Sequence, residues 1–242
     1  MSLLILMYHR ARAGRHGNAP EMLDAHFAHI ARRHACVLPG EPLNSARLNV
    51  CLTFDDAYFD FYAIVFPLLG KHSLRAVLAV PPIVVSEHAV ESPAERLRVE
   101  ADVNSSQSNP GGFCTWTELH EMTQSGRVMV AAHGFTHCRL DRETADLHKE
   151  IAGPQNLLAA RLGQPVDTFV FPYGRFTRAA LTRVRRTYRY AFRIGGADNR
   201  GWAGSPLYRV DADRMSAADA LFTTARRNGY RVRYLWNRLR GR

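Results

Sequence analysis

Short apolar runs alternate with helix-like segments along most of this chain, and this alternation restricts its fold more than any other feature. Six apolar runs are predicted to form buried strands: residues 3–8, 49–54, 75–80, 128–132, 168–171 and 190–194. Five segments between them are predicted to form helices: residues 22–33, 59–69, 115–125, 142–162 and 177–187. Strands that alternate with helices are typical of a mostly parallel sheet with helical crossovers. The pattern therefore predicts an α/β fold.

The length and composition fit one domain of this class. The chain has 242 residues, of which 46% are hydrophobic, so it can bury a large core. Two segments depart from the regular pattern. Phe66-Pro67 is expected to kink or end the second helix, and residues 86–112 are expected to form a long loop. We predict one main domain over residues 1–225, followed by a basic, aromatic tail over residues 226–242.

The positive charge is concentrated at the C-terminus. The formal net charge is +10, and residues 226–242 contain seven arginines and no acidic residue, so the rest of the chain carries only +3. Aromatic and leucine residues are interleaved with these arginines, and Leu235 and Leu239 would lie one turn apart in a helix. Such a segment can bind an anionic membrane surface, or it can be a solvated tail. Nucleic-acid binding is less favoured, because no recognisable nucleic-acid-binding module accompanies the arginines.

Two further observations favour a cytoplasmic location. The N-terminal apolar run has no basic region before it and is shorter than the apolar region of a signal peptide, which has ~7–15 residues. No run approaches the ~20 apolar residues of a membrane span. The four cysteines are scattered along the chain, so we expect reduced thiols rather than a disulfide or zinc framework: Cys36, Cys51, Cys114 and Cys138. Peripheral contact with the inner face of the membrane is expected if the tail binds lipid.

Reactive polar residues directly follow four of the predicted strands. They are His9 after the first strand, Asp55 and Asp56 after the second, His133 and His137 after the fourth, and Tyr173 after the fifth. If the strands are parallel, their C-terminal ends gather on one face, which is where α/β barrels place their active sites. We therefore expect these residues to form one site.

Each motif is weak support when taken alone. With eleven histidines in the chain, chance gives about half of one His-x-x-x-His pair. Asp55-Asp56 alone is often a helix cap, and His9 alone is most often a buried histidine that bonds the backbone. All of them together, each at a strand end, are much harder to obtain by chance.

The residue types suit hydrolysis of an amide near neutral pH. That reaction needs a nucleophilic hydroxide, and a divalent metal supplies one by lowering the pKa of bound water to about 7. Two histidines and one carboxylate can bind such a metal and leave positions open for water and substrate. A second carboxylate, Asp55, can accept the proton of that water. A backbone N–H in the turn at residues 172–174 can donate to the oxyanion.

At these residues the chain resembles the polysaccharide deacetylase family, also called the NodB-homology family. Residues 53–56 (TFDD) resemble its first motif, residues 133–137 (HGFTH) its second, and residues 171–174 (FPYG) its third. The resemblance extends from residue 3 to about residue 215. It implies the family's distorted (β/α) barrel of about seven parallel strands.

The resemblance also implies a role for each motif residue. The first aspartate, Asp55, corresponds to the catalytic base, and Asp56 to a metal ligand. His133 and His137 complete the ligand set. Tyr173 corresponds to the tyrosine whose backbone N–H helps to form the oxyanion hole.

Three departures from the family pattern affect these assignments. Gly134 replaces the usual hydroxyl residue and is expected to loosen its loop. Val170 stands where many members carry the arginine that orients the base, and Arg209 is proposed as the replacement. No C-terminal strand ends in the leucine-histidine pair that supplies the family's general acid. His9 resembles a permuted arrangement known in part of the family, so we predict His9 as the acid, with Asp211 as its orienting partner.

The resemblance implies a metal-dependent enzyme that removes N-acetyl groups from an amino sugar in a glycan or a lipid-linked glycan precursor. Zinc is the expected metal, and cobalt, nickel and manganese also fit the ligand set. One alternative is a hydrolase of a small non-sugar amide, which the same site would serve. Another is a non-catalytic carbohydrate-binding protein, although a binder has no need to keep a base together with three metal ligands.

Overall fold

Seven parallel strands close into a barrel in the computed structural model, which describes residues 2–105, 109–204 and 206–239. The barrel strands are β1 (Leu3–Tyr8), β3 (Asn49–Phe54), β4 (Ala76–Val80), β5 (Val128–Ala132), β6 (Thr168–Val170), β7 (Tyr190–Ile194) and β8 (Leu207–Asp211). The barrel closes because β1 pairs with β8 on one side and with β3 on the other. A two-residue strand, β2 (Ala35–Cys36), pairs with the start of β3. The predicted barrel of about seven parallel strands is therefore confirmed.

The helices surround this barrel. They are α1 (Pro20–Arg33), α2 (Phe66–Lys71), α3 (Pro93–Arg98), α4 (Trp116–Gln124), α5 (Gly153–Leu162), α6 (Arg178–Thr187) and α7 (Thr224–Leu239). No helix in the described part of the chain is long and apolar enough to span a bilayer. The predicted tail lies in α7 as far as residue 239, whereas its Arg240 and Arg242 lie outside the described residues. The division of the chain at residue 225 stays a prediction.

Alternating residues of the strands pack on opposite sides of the barrel wall. In β1, Leu3 and Ile5 belong to a cluster formed mainly by other strands, inside the barrel. Leu4 and Leu6 belong to the cluster that includes the apolar face of α1. This alternation follows from the two-residue period of a strand, and each fully buried leucine stabilises the fold by about 1.5–3 kcal/mol.

One barrel strand was not predicted. All six predicted strands are present, with one end shifted by a residue in β4 and in β6, but β8 is the seventh. Its sequence LYRVD has an arginine at its centre, which hid the apolar signal of a buried strand. Arg209 is nevertheless only 1% exposed, and its side chain reaches a buried carboxylate at the centre of the barrel mouth.

Two prolines lie within helical segments and follow wide helical turns. A π-helical turn at Phe61–Val65 precedes Pro67 in α2, and a second one at His148–Ala152 precedes Pro154 in α5. Proline lacks an N–H and its ring clashes with the carbonyl four residues earlier, so it disrupts a regular α-helix. The wider turn relieves this conflict. The second helix therefore continues beyond Phe66-Pro67 to Lys71.

Two predictions of local structure were wrong in part. The helix predicted over residues 142–162 begins only near His148, because the Asp146 carboxylate accepts hydrogen bonds from the backbone N–H groups of His148 and Lys149. The loop predicted over residues 86–112 contains helix α3. That helix begins with a capping box, in which Ser92 and Glu95 each bond the other's backbone N–H.

Candidate active site

The C-terminal ends of the barrel strands surround one cavity of about 950 Å³. Its lining includes all six residues that the sequence analysis proposed: His9, Asp55, Asp56, His133, His137 and Tyr173. The strand register explains why they meet. Tyr8 pairs with Phe54, and Val80 pairs with Ala132, so the residues that follow these strands leave the barrel at the same edge.

Asp56, His133 and His137 form a buried cluster within this cavity. Asp56 Oδ1 lies 3.5 Å from His133 Nε2 and 3.3 Å from His137 Nε2. One ligand atom from each residue lies within 4.8 Å of the other two. Asp56 Oδ1 is buried and has no hydrogen-bond partner, which is unfavourable for a carboxylate oxygen unless a cation lies beside it. The donor set therefore fits a divalent metal ion.

Both histidines are held in the form that binds a metal. His133 Nδ1–H donates to the Val170 carbonyl at 2.8 Å, and His137 Nδ1–H donates to Asn104 Oδ1 at 2.9 Å. In each ring Nε2 is then the nitrogen with a free lone pair. Burial lowers the pKa of both histidines to about 4, so both are neutral at pH 7. Neutral imidazoles are what metal binding requires.

The backbone is strained at three of the proposed site residues. Asp56, His137 and Tyr173 have φ angles of 74°, 58° and 56°, in the left-handed region. Such a conformation is uncommon for residues other than glycine, and strained positions of this kind cost about 1–3 kcal/mol each. They persist only where the surrounding structure fixes them. Backbone strain is thus concentrated at this site, as it often is at functional sites.

The Glu150 carboxylate anchors the loop between the two histidines. Glu150 Oε2 accepts hydrogen bonds from the backbone N–H groups of Phe135 and Thr136 at 2.9 and 3.0 Å. Glu150 Oε1 accepts the Thr136 hydroxyl at 2.7 Å. Gly134 has a φ of +69°, and a Cβ there would lie 3.1 Å from Glu150 Oε2. The loop is therefore tightly held, and the expectation that Gly134 loosens it was wrong.

Arg209 holds Asp55 in a buried, two-pronged ion pair. Arg209 Nη1 donates to Asp55 Oδ1 at 2.6 Å, and Nη2 donates to Oδ2 at 2.8 Å. Burial raises the pKa of Asp55, but the charge of Arg209, helped by His133, outweighs it and holds that pKa well below its usual range. Asp55 is therefore ionised and fixed in orientation. Arg209 occupies the orienting position proposed for it, while Val170 contributes its carbonyl to His133.

His9 lies beside Asp55 and is bonded to a different aspartate from the one predicted. His9 Nδ1–H donates to Asp213 Oδ2 at 2.7 Å, and His9 Nε2 lies 3.8 Å from Asp55 Oδ2. Burial lowers the pKa of His9, but the bond to Asp213 and the charges of Asp55 and Asp56 outweigh it and raise that pKa to about 9. The proposed pairing with Asp211 was wrong. The Asp211 carboxylate instead accepts the backbone N–H of Asp213.

A second group of possible ligands lies at the outer part of the cavity. His9, His16 and Asp213 each offer one ligand atom, and these atoms lie within 4.8 Å of one another. Unlike the first cluster, this group is partly exposed, and its His9–Asp213 pair is already joined by a hydrogen bond. It is therefore the weaker of the two candidate metal sites.

Tyr173 forms the rim of the cavity next to His137. The centroids of the two rings lie 4.8 Å apart, and the Tyr173 hydroxyl donates to Asn104 Oδ1, the atom that also accepts from His137. The Tyr173 side chain is 43% exposed. The short turn at Pro172–Gly174 carries its backbone into the cavity wall after β6.

Three residues that support the site were missed by the sequence analysis. Asp213 and Asn104 bond His9 and His137 from 204 and 33 positions away along the chain. Glu150 bonds Thr136, in the loop between the two histidines, from 14 positions away. None belongs to a local motif. Of the three, Asp213 was the one that the sequence could have suggested. It is an aspartate two residues after Asp211, the partner proposed for His9.

Comparisons with known proteins agree with this geometry. The family model "Polysaccharide deacetylase" matches residues 44–191. YxkH of Bacillus subtilis (strain 168), which is named as a polysaccharide deacetylase, is 22% identical over 224 residues, covering 86% of this chain and 70% of that protein.

Solved structures share the fold. The Streptococcus pyogenes deacetylase PplD in complex with acetate has a TM-score of 0.73 at 20% identity, covering 91% of this chain and 96% of that one. A de-N-acetylase from Aggregatibacter actinomycetemcomitans has a TM-score of 0.72 at 17% identity, covering 95% and 100%. The family model covers more than half of the present sequence. The chain therefore belongs to the polysaccharide deacetylase family.

Proposed function

We propose that this protein is a metal-dependent enzyme that hydrolyses the N-acetyl group of an amino sugar, in a glycan or a lipid-linked glycan precursor. The observation that carries the proposal is the cluster of Asp56, His133 and His137 beside the Asp55–Arg209 ion pair. The nature of two structural neighbours supports the chemistry: one is a de-N-acetylase, and another binds acetate, the acid that such a reaction releases.

Asp56, His133 and His137 would hold the metal ion, for which zinc is the expected choice and cobalt, nickel or manganese also suit the ligands. A divalent ion held there would supply a water nucleophile that ionises near neutral pH, and positive charge to polarise the acetyl group. The protein's own contribution is to keep both imidazoles neutral and oriented, through Val170 and Asn104.

Asp55 is the proposed proton acceptor. Its carboxylate lies within the cavity, 3.9 Å from His133 Nε2 and therefore next to the ligand cluster. The charge of Arg209 holds the pKa of Asp55 well below the usual range, so the carboxylate is ionised at neutral pH. The ion pair also fixes the direction of the carboxylate, so no reorientation is needed when the attacking water gives up its proton.

His9 is the proposed proton donor. In the metal-free protein its pKa of about 9 keeps the imidazole protonated at neutral pH, with Nδ1 bonded to Asp213 and Nε2 facing Asp55. The surroundings thus push the two pKa values in opposite directions, so that the proposed base is ionised and the proposed acid is protonated. His9 would give its Nε2 proton to the sugar nitrogen as the C–N bond breaks.

The backbone N–H of Tyr173 is the proposed donor to the oxyanion. The left-handed conformation of Tyr173 turns the chain sharply after β6, at the cavity wall. A backbone donor on so short a turn is rigid, which suits the stabilisation of charge that develops only in the transition state.

A cytoplasmic location is part of the proposal. The four cysteines are all free thiols, as is usual in a reducing compartment. Fractionation of cells that make the protein with its own N-terminus tests this location.

Acetate release tests the activity. The purified protein, stripped with a chelator and reloaded with zinc, is assayed on N-acetylated amino-sugar oligomers and on simple acetamides that lack a sugar. We expect acetate only from the sugars and only with metal. Equal activity on the acetamides would favour the small-amide hydrolase, and sugar binding without acetate release under every metal would favour the carbohydrate-binding protein.

A further inference from the structure

The outer face of α7 exposes an apolar stripe. It consists of Val232, Leu235, Trp236 and Leu239, which are 53%, 53%, 54% and 85% exposed. These positions follow the i, i+3, i+4, i+7 pattern, so they lie on one side of the helix. The opposite side is already packed: Tyr230 is 5% exposed and belongs to the main core. We call the exposed face the α7 stripe.

A cavity of about 560 Å³ lies beside the α7 stripe, between α6, α7 and the outer sides of β7 and β8. Its lining contains four arginines: Arg185, Arg193, Arg200 and Arg238. Within the described residues, the lining contains no aspartate or glutamate. We call this cavity the arginine pocket. The guanidinium groups of Arg200 and Arg238 lie 5.4 and 5.9 Å from the centre of the Tyr234 ring.

The arginine pocket has the chemistry of a phosphate site. Several guanidinium groups that face one cavity create a positive potential, which attracts an anion. Guanidinium groups bind phosphate through paired hydrogen bonds. Contact with the Tyr234 ring holds the guanidinium groups of Arg200 and Arg238 at the wall of the pocket before any ligand binds.

The arginine pocket and the α7 stripe are parts of one surface. Tyr234 and Arg238 line the pocket, and each lies one residue before a leucine of the stripe, about a quarter turn away around the helix. A phosphate in the pocket would therefore lie on the flank of the helix beside the leucines of the stripe. Phospholipids offer both a phosphate for the pocket and an apolar layer for the stripe. A nucleic acid offers no apolar layer for the three aliphatic residues of the stripe, Val232, Leu235 and Leu239.

This surface also adjoins the candidate active site. A third cavity, of about 590 Å³, shares Arg193 with the arginine pocket and shares Tyr173 and Ile194 with the catalytic cavity. The Asn237 side chain on α7 donates to the carbonyl of Gly195, the residue after Ile194. A partner bound to α7 would therefore lie next to the mouth of the catalytic cavity.

We propose that α7 docks this protein onto an anionic phospholipid membrane, with the α7 stripe at the boundary of the acyl chains and a lipid phosphate in the arginine pocket. An exposed apolar face flanked by arginines is the pattern of a helix that lies in the membrane interface. Docking does not depend on the proposed hydrolysis, because none of its residues contacts the Asp56 cluster. It would bring the catalytic cavity to sugars carried by lipids.

Vesicle co-sedimentation tests the proposal with the full chain. Phosphatidylcholine vesicles with and without phosphatidylglycerol are compared, and we expect binding only to the anionic ones. Arg200→Gln with Arg238→Gln should weaken partitioning about 30-fold, since each basic residue near an anionic surface contributes about fivefold. Leu235→Asn with Leu239→Asn should weaken it by about tenfold or more. Arg32→Gln with Arg127→Gln removes the same charge from exposed sites elsewhere and should change it little.

The outcomes separate the alternatives. An equal loss of vesicle binding in the Arg32/Arg127 control and in the pocket variant would overturn the phosphate site in the arginine pocket. Net charge alone would then explain the binding. Unchanged binding by the leucine variant, with equally tight binding of a single-stranded oligonucleotide, would overturn membrane docking in favour of nucleic acid. Circular dichroism confirms that each variant is folded. His133→Ala should keep vesicle binding while it loses activity, so failure of docking and failure of the catalytic proposal are distinguishable.

Discussion

At the scale of single residues, the two neighbouring aspartates are expected to have separate roles. Asp55→Asn should keep the metal and lower turnover by about 10²–10⁴-fold, because it removes the proton acceptor. Asp56→Asn should instead lower metal affinity, since it removes a ligand oxygen that has no other partner. Metal analysis and turnover measured on both variants check this. Equal loss of metal in the two variants would mean that the roles are assigned wrongly.

The His9–Asp213 bond makes a second residue-scale prediction, for the metal-free protein. Asp213→Asn should lower the pKa of His9 from about 9, because that hydrogen bond is the main contribution that raises it. The folded pKa lies above the unfolded value of about 6.5. The stability that His9 contributes is therefore fully present below about pH 6.5 and is lost as the pH rises through 9.

Histidine NMR titration measures this shift directly, and thermal melts between pH 6 and 10 should show less pH dependence in Asp213→Asn than in the natural protein. Asp211→Asn is the matched control, since Asp211 is two residues away and does not bond the imidazole. An equal fall of the His9 pKa in both variants would indicate a general effect of charge and not the bond to Asp213.

The residues that could be predicted from the sequence are those whose signal is local. Asp55, Asp56, His133 and His137 directly follow strands, and their spacing is set by short motifs. Asp213 and Glu150 act through contacts between distant parts of the chain, and their identity depends on how loops pack after the barrel has closed. The side chains proposed for the chemistry could therefore be predicted from the sequence, whereas some of the side chains that hold them in place could not.

At the scale of elements, the loop that carries both histidines is expected to depend on Gly134. Gly134→Ala would place a methyl group 3.1 Å from Glu150 Oε2 and 3.3 Å from Pro172 Cγ, in a left-handed conformation. We expect a loss of stability of about 1–2 kcal/mol from the backbone alone, with a further loss as the Glu150 carboxylate is displaced. Metal affinity should fall, because the same loop positions His137.

Gly126→Ala separates the two causes. Gly126 has nearly the same φ, +70°, but a Cβ there meets nothing within 4 Å. Both variants should lower the melting temperature, by about 2–4 °C per kcal/mol in a chain of this size. Only Gly134→Ala should also weaken zinc binding in a calorimetric titration. Equal zinc affinity in the two variants would show that the Glu150 contact does not hold the site.

The elements themselves were predictable where one pattern dominated. Strands such as β1 and β5 are short, continuous apolar runs, and the sequence pattern identified them. Strand β8 was missed because its central residue is Arg209, whose charge interrupts the apolar run. The side chain is nevertheless buried, because it forms an ion pair with Asp55. The helical segment that leads into α5 was predicted to begin too early. Asp146 caps the start of this segment at His148, and the sequence pattern did not indicate this cap.

At the scale of the whole molecule, the proposed metal site is expected to set stability as well as activity. The cluster joins the ends of β3 and β5. An ion bound only by the folded state stabilises it by about 2.7 kcal/mol at a concentration 100 times its Kd. Removing the metal should therefore lower the melting temperature of the natural protein by about 5–10 °C. Asp56→Asn should show little such change, since its site is incomplete.

In the metal-free protein, Asp56→Asn should raise the melting temperature, whereas with metal bound it should lower it. Burial raises the pKa of Asp56, so the folded pKa lies above the unfolded value. The group therefore favours the folded state most at pH values below the unfolded pKa, and stability falls as the pH rises through the folded pKa. The metal-free protein therefore holds a buried acidic side chain, whose Oδ1 atom has no hydrogen-bond partner. Asparagine is neutral and tolerates the left-handed backbone of position 56. In the presence of a chelator, Asp56→Asn should therefore melt at a higher temperature than the natural protein.

Melting curves of both proteins with zinc and with chelator measure whether the order of the two melting temperatures is reversed. A variant less stable than the natural protein in both states would mean that Asp56 stabilises the fold by contacts other than metal binding.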